Sequence, residues 1–183
     1  MTTPPVPEES RRLLDSVVPP PNRPPRLYLA MAHNPEVLRG YIERPILGLH
    51  GLLHTGQLAP DERELTILRV TARCGAEHEW GVHVAYFGKT SGLSSEQVAA
   101  TVTEVTPSHA WSPRHLAVLT IADAMVDQRE LTAAELAGVD EVLGIATRTE
   151  IVAVSAQYLG ISAMCRVLAI PPEDSAPRFP SGT

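Results

Sequence analysis

Lysine occurs once in 183 residues, at Lys89, beside 14 arginines. The net charge is −6, and charges of both signs are interspersed along the chain. There is no basic block or stripe, which argues against a nucleic-acid surface and a polybasic membrane anchor. Cysteine occurs twice, at Cys74 and Cys165, with neither a C-x-x-C nor a zinc-site spacing. Their neighbours are apolar, so both read as buried thiols in a reducing compartment. The most apolar run, 151–170, is broken by Gln157, Gly160, Arg166 and serines. It reads as a buried helix and not as a membrane span. The opening MTTPPVPEES has no basic or apolar signal region, so no signal peptide and a cytoplasmic location are expected. No segment alternates with period two, no Asn-Gly or Asp-Gly turn is present, and no repeat is evident. The expectation is an all-α protein with seven or eight helices.

At 19.8 kDa the chain can bury one substantial core. Residues 1–26 form a Pro-rich arm with one short helix at Glu8–Val17, because PPPNRPP (19–25) cannot be helical. Asn34-Pro35 sets a helix start, with the helix reaching about His54 and breaking near Pro45. Ser94-x-x-Gln97 and Thr132-x-x-Glu135 are capping boxes, and Ser112-Pro113 opens a further helix. Thr147-x-x-Glu150 predicts the start of the last helix, which runs to about Leu168. In it Ala153, Ala156, Gly160 and Ala163 recur at a spacing that lets another backbone approach closely. Pro171 and Pro172 stop it, and 171–183 reads as a mobile tail. The main helical domain is thus expected over 27–170.

The chemistry converges on 61–92, DERELTILRVTARCGAEHEWGVHVAYFGKTSG, which reads as two helices joined at Gly75. At roughly 100° per residue, Glu79, His83, Tyr86 and Thr90 share one stripe of the second helix. Ala76, Trp80 and Phe87 flank it, while His78 and Lys89 point to the opposite, solvated side. In the first helix Glu62, Thr66, Arg69 and Arg73 form a polar row taken as solvated. Glu64 lies nearly opposite, on the apolar side, where a carboxylate needs a partner or a proton. It can cap a neighbouring helix, pair with a structural arginine, or join a functional site. Glu79 and His83 at i,i+4 can meet across one turn, with Tyr86 adding a phenolic donor. His50 and His54 share a face as well. They can hold a metal or stand as two helix-end histidines. Asp123 and Asp127 read as solvated surface.

Glu64, Ala76, Glu79 and His83 spell E-x11-A-x2-E-x3-H. With ERELTILRV, GAEHEWGVH and SGLSSEQV around it, this resembles the carboxymuconolactone decarboxylase and AhpD-like superfamily. The resemblance covers most of 27–170 and is sharp over 61–98. It implies an AhpD-like helical bundle that assembles as a homo-oligomer, a trimer or hexamer. It also implies a cofactor-free acid–base enzyme, a lyase or related isomerase or dehydratase, acting on a small carboxylated lactone or carbonyl compound. Glu79 and His83 would transfer the proton and Glu64 would orient His83. Trp80, Tyr86, Phe87, His50 and His54 would line the substrate. No metal, nucleic acid or membrane partner is implied. The peroxidase branch carries cysteines where this chain has Ala76 and Glu79, so dithiol chemistry is the weaker alternative. A metal site from His50, His54, Glu79 and His83, and a non-catalytic oligomeric module, are the others.

Overall fold

A computed structural model describes residues 6–32, 35–43, 51–103 and 111–180. Among these residues there are ten helices and no strand, so the fold is all-α. The count exceeds the expected seven or eight because short helices appear in the first third of the chain. The chain divides into two compact units, Met1–Gly56 and Gln57–Thr183. No described helix is long and apolar enough to cross a membrane.

The first unit holds α1 (Glu8–Val17), α2 (Arg26–Met31), α3 (Pro35–Ile42) and α4 (Leu52–Thr55). The α1 bounds are those its sequence predicts. Leu14 of α1, Leu27 and Met31 of α2, and Leu38 of α3 are buried. Arg39 of α3 pairs with Glu9 of α1 and with Glu43 one turn on. Of the stretch expected as a helix from Pro35 to about His54 with a break near Pro45, the described residues show α3 and α4. Asn34, Pro45 and His50 lie outside the described residues.

The second unit is organised around α5 (Pro60–Arg73), which packs against α6 (Glu77–Phe87), α8 (Pro113–Asp127) and α10 (Ile145–Val167). Eight consecutive α5 residues, Glu64 to Thr71, are buried. That is more than two full turns, so neighbours cover every face. Gly75, at φ +66°, reverses the chain between α5 and α6, a conformation that L side chains rarely adopt. The short α7 (Ser95–Ala100) and α9 (Ala133–Val142) both begin with the capping boxes read from the sequence. Ser112 caps α8 by accepting the His115 backbone N–H.

Two expectations about α10 are corrected by its packing. Its N-cap is Gly144, one helical turn before the predicted Thr147 start. Glu150 is buried and accepts the backbone N–H groups of Gln57 and Leu58 at 2.8 and 3.2 Å. It therefore fixes the chain entering α5 and does not cap its own helix. The inward face carries Ile151, Val154, Tyr158, Ile161 and Cys165. Ala156 and Gly160 of the small-residue stripe are exposed, and Ala153 and Ala163 are half-buried. Small residues thus line the outward side of α10.

Candidate active site

Six side chains from α5, α6 and α10 meet inside the second unit. His83 is 5% exposed, and its ring is held at both nitrogens. Nδ1 lies 2.8 Å from Glu64 Oε2. Nε2 lies 2.9 Å from the Tyr158 hydroxyl and 3.6 Å from Glu79 Oε1. The other Glu64 oxygen accepts from Arg63 Nε at 3.1 Å. Phe87 packs on the imidazole with ring centroids 5.2 Å apart, and the Tyr158 ring meets it edge-on at 5.1 Å. Glu64, Glu79, His83 and Tyr158 are all buried, and Phe87 is half-buried.

Such burial disfavours charge on either partner alone, and mutual bonding decides the outcome. Burial pulls the His83 pKa down, but the bond to Glu64 and the nearby Glu79 carboxyl outweigh it and lift the value to about 9. Burial likewise pushes Glu64 up, while the bonds to His83 and Arg63 bring it below the ordinary carboxylate value. These shifts favour an imidazolium facing a carboxylate, in which Nδ1–H donates to Glu64 and Nε2–H donates to the Tyr158 oxygen. Glu79 is the most exposed carboxylate of the group, with a side chain 10% exposed against 3% for Glu64.

The sequence brings Glu64, Glu79, His83 and Phe87 to this place, but not every proposed neighbour. Trp80 is buried beside them. Its Nε1–H donates to Thr101 Oγ1 at 3.0 Å, and its ring meets Phe179 at 5.3 Å. Tyr86 is 64% exposed and supplies no phenol to the site. Thr90 is exposed as well, because the buried part of α6 ends at His83. The phenol comes from Tyr158 instead, 75 residues further along. His54 is exposed on α4 in the first unit. His50 lies outside the described residues. Among the described residues no group of three or more His, Cys, Asp or Glu is arranged to hold a metal.

Both thiols are free. Burial, and after it the charge of Glu79, pushes Cys165 up to about 12. Burial also raises Cys74. Neither is an activated thiolate, which is the form that attacks peroxides and disulfides.

The outer side of α6 is not solvated. His78 is 2% exposed, and its Nδ1–H donates to the Pro171 carbonyl at 2.9 Å. Glu77 accepts Phe179 N–H at 2.9 Å and Arg178 Nη1 at 3.3 Å. Residues 171–180, expected as a mobile tail, therefore lie along α6 as a strap on the side away from Glu79 and His83. Gly81 permits the contact. A Cβ there would stand 2.5 Å from the Pro177 oxygen and 3.2 Å from the Ala176 Cβ. Glycine inside a helix costs about 0.5–1 kcal/mol relative to alanine. Gly81→Ala should therefore strengthen α6 locally yet dislodge the strap. Limited proteolysis after Leu168 should become faster, and Trp80 emission should shift to the red. A variant with unchanged cleavage and a higher Tm would contradict this contact.

Comparison with known proteins adds no relative: no family model, no curated protein and no solved structure matches the chain.

Proposed function

We propose that the chain is a cofactor-free acid–base enzyme that moves a proton at a carbon next to a carbonyl, in the manner of a carboxymuconolactone decarboxylase. One observation carries the reading. A buried imidazolium is clamped by Glu64, and a second carboxylate, Glu79, stands 3.6 Å away without being drawn into a short bond. A salt bridge that served stability alone would need only one of these carboxylates. The resemblance of E-x11-A-x2-E-x3-H to the decarboxylase branch supports the same reading.

The chemistry follows from charge. When a lactone bearing a carboxylate loses CO2, its electron pair spreads to the lactone carbonyl as a dienolate. The fixed positive charge of His83, in a low-dielectric setting, lowers the energy of that anion without reorganising. The Glu79 carboxyl delivers a proton to the carbon and takes one back from solvent, while His83 keeps its own. Isomerisation, dehydration or lactone opening uses the same transfers. Glu64 fixes the ring and keeps Nδ1 protonated. Phe87 supplies an apolar wall against the imidazole. The raised thiols speak against the dithiol peroxidase alternative.

The reading includes a cytoplasmic homo-oligomer, a trimer or hexamer. The outward face of α10, with Val152, Ala156 and Gly160, offers small and apolar groups for such an assembly.

A screen of carboxylated lactones and enoates, with products identified by mass spectrometry, tests the activity. Glu79→Gln keeps the volume and removes the transferable proton. Turnover should fall by about 10²–10⁴-fold with the far-UV spectrum unchanged. Full activity in that variant would remove Glu79 from the mechanism.

A further inference from the structure

His83 Nε2 has two acceptors within reach, and the structure gives the short contact to only one. The Tyr158 oxygen is at 2.9 Å and Glu79 Oε1 is at 3.6 Å. An N–H bonds well to an oxygen near 2.9 Å and poorly beyond ~3.5 Å. A carboxyl group one helical turn from a ring N–H would ordinarily close on it, since a bond to a charged partner is stronger than one between neutral groups. Here the imidazolium bonds to a neutral phenol in preference to the nearer-in-sequence carboxylate.

Packing explains the preference. Tyr158 is 2% exposed and sits on the inward face of α10, so its ring cannot withdraw. The edge-on contact with the imidazole fixes its hydroxyl over Nε2. On the opposite side, Glu64 draws Nδ1 toward α5. The ring is thus stretched between two helices, and Glu79, on the same helix as His83, lies off that line. We propose that Tyr158 is a positioning residue that holds the Nε2 proton of His83 away from Glu79, leaving the Glu79 carboxyl free to act on substrate.

The role in turnover rests on the acid–base reading given above, but the positioning itself does not. Groups facing His83 are Glu64 and Arg63 from α5, Glu79 from its own helix, and Tyr158 with the Cys165 thiol near Glu79 from α10. In Tyr158→Phe the ring stays and the hydroxyl goes. Nε2–H then turns to Glu79 and His83 becomes flanked by two bonded carboxylates. Its titration midpoint should move upward from about 9, by about one pH unit. A hydrogen bond with no positioning role would give the reverse, because losing an acceptor destabilises the imidazolium.

The experiment is an NMR titration of histidine-labelled full-length protein, with His83 assigned by its loss in His83→Gln. The upward move should occur in Tyr158→Phe and vanish in Tyr158→Phe combined with Glu79→Gln. A midpoint that stays or falls in the single variant, or an upward move that persists in the double variant, overturns the proposal. On a substrate found in the screen, kcat of Tyr158→Phe should fall about tenfold or more with KM little changed. A retained kcat would show that the freed carboxyl has no part in turnover and would overturn that half of the proposal. If no carbonyl compound is turned over at all, the acid–base reading fails, and the titration still decides where the proton is held.

Discussion

Replacing His83 by alanine is expected to destabilise the second unit by about 3–5 kcal/mol near pH 6, and by visibly less near pH 10. The substitution strands Glu64, which is 2% exposed and keeps only Arg63 as a partner. Removing one member of a buried ion pair leaves the other charge without compensation, and that is the costly event. The pH dependence follows from linkage. His83 ionises near 6.5 when unfolded and at about 9 when folded, so the folded state binds more protons between those values. Its contribution is complete below pH 6.5 and is lost as the pH rises through about 9. The loss is on the order of 3 kcal/mol. Glu64 acts in the opposite direction. Its lowered value gives a contribution that is present above the ordinary carboxylate range and lost as the pH falls through its folded value. Stability should therefore peak between the ordinary carboxylate and imidazole values. Urea unfolding followed by Trp80 and Trp111 fluorescence at several pH values measures this. Wild-type protein with the same stability at pH 6 and pH 9 would show that His83 does not hold its proton in the fold. Turnover in His83→Ala should be abolished, but only His83→Gln, which retains an N–H toward Glu64, separates lost chemistry from lost structure.

The sequence shows half of this constellation and hides the rest for a geometric reason. Glu79 and His83 lie one turn apart on one helix, so a helical wheel brings them together. Glu64 stands out because a carboxylate on an apolar face requires a partner. Both inferences use only local spacing. Tyr158 reaches His83 from α10, and no periodicity reports a contact across 75 residues. Its one signal is that it is the only aromatic within Ile145–Val167, and a buried phenol needs a hydrogen-bond partner. Tyr86 took its place in the sequence reading because the wheel does not say where the buried part of a helix stops. His78 was misplaced for a related reason. The wheel assumes one wet face, and six consecutive α6 residues, His78 to His83, are in fact buried between the core and the strap. The capping boxes were legible because a cap is complete within four residues.

The same reasoning exposes the largest misreading, that of Glu62, Thr66 and Arg69 in the polar row that ends at the exposed Arg73, and leads to the second prediction. The row looks solvated only if α5 has one buried face. Neighbours on three sides leave it none: Glu62 is 5% exposed, Thr66 0% and Arg69 2%. Polar groups buried this way must be paired. Arg114 Nε donates to Glu62 at 2.6 Å. Arg69 donates in fork fashion to both oxygens of Asp123, at 2.6 and 3.0 Å, and through Nη1 to the Thr101 and Thr103 carbonyls. Arg73 extends the network to Asp123 and Asp127, the two carboxylates first read as free surface. Arg69 therefore joins α5 to α8 and anchors the turn after α7. That turn carries Thr101, whose hydroxyl accepts the Trp80 indole N–H. Arg69→Ala should cost about 3–5 kcal/mol, because it leaves two carbonyls unpaired and Asp123 with Arg73 alone. Arg69→Lys should recover little of this, since an ammonium cannot make the fork to a carboxylate and reach the carbonyls together. Arg73→Ala, on a side chain 32% exposed, should cost no more than about 1 kcal/mol. Denaturant midpoints of the three variants decide the matter. Equal midpoints for Arg69→Lys and wild type would mean that charge alone, and not the planar fork, holds α5 against α8.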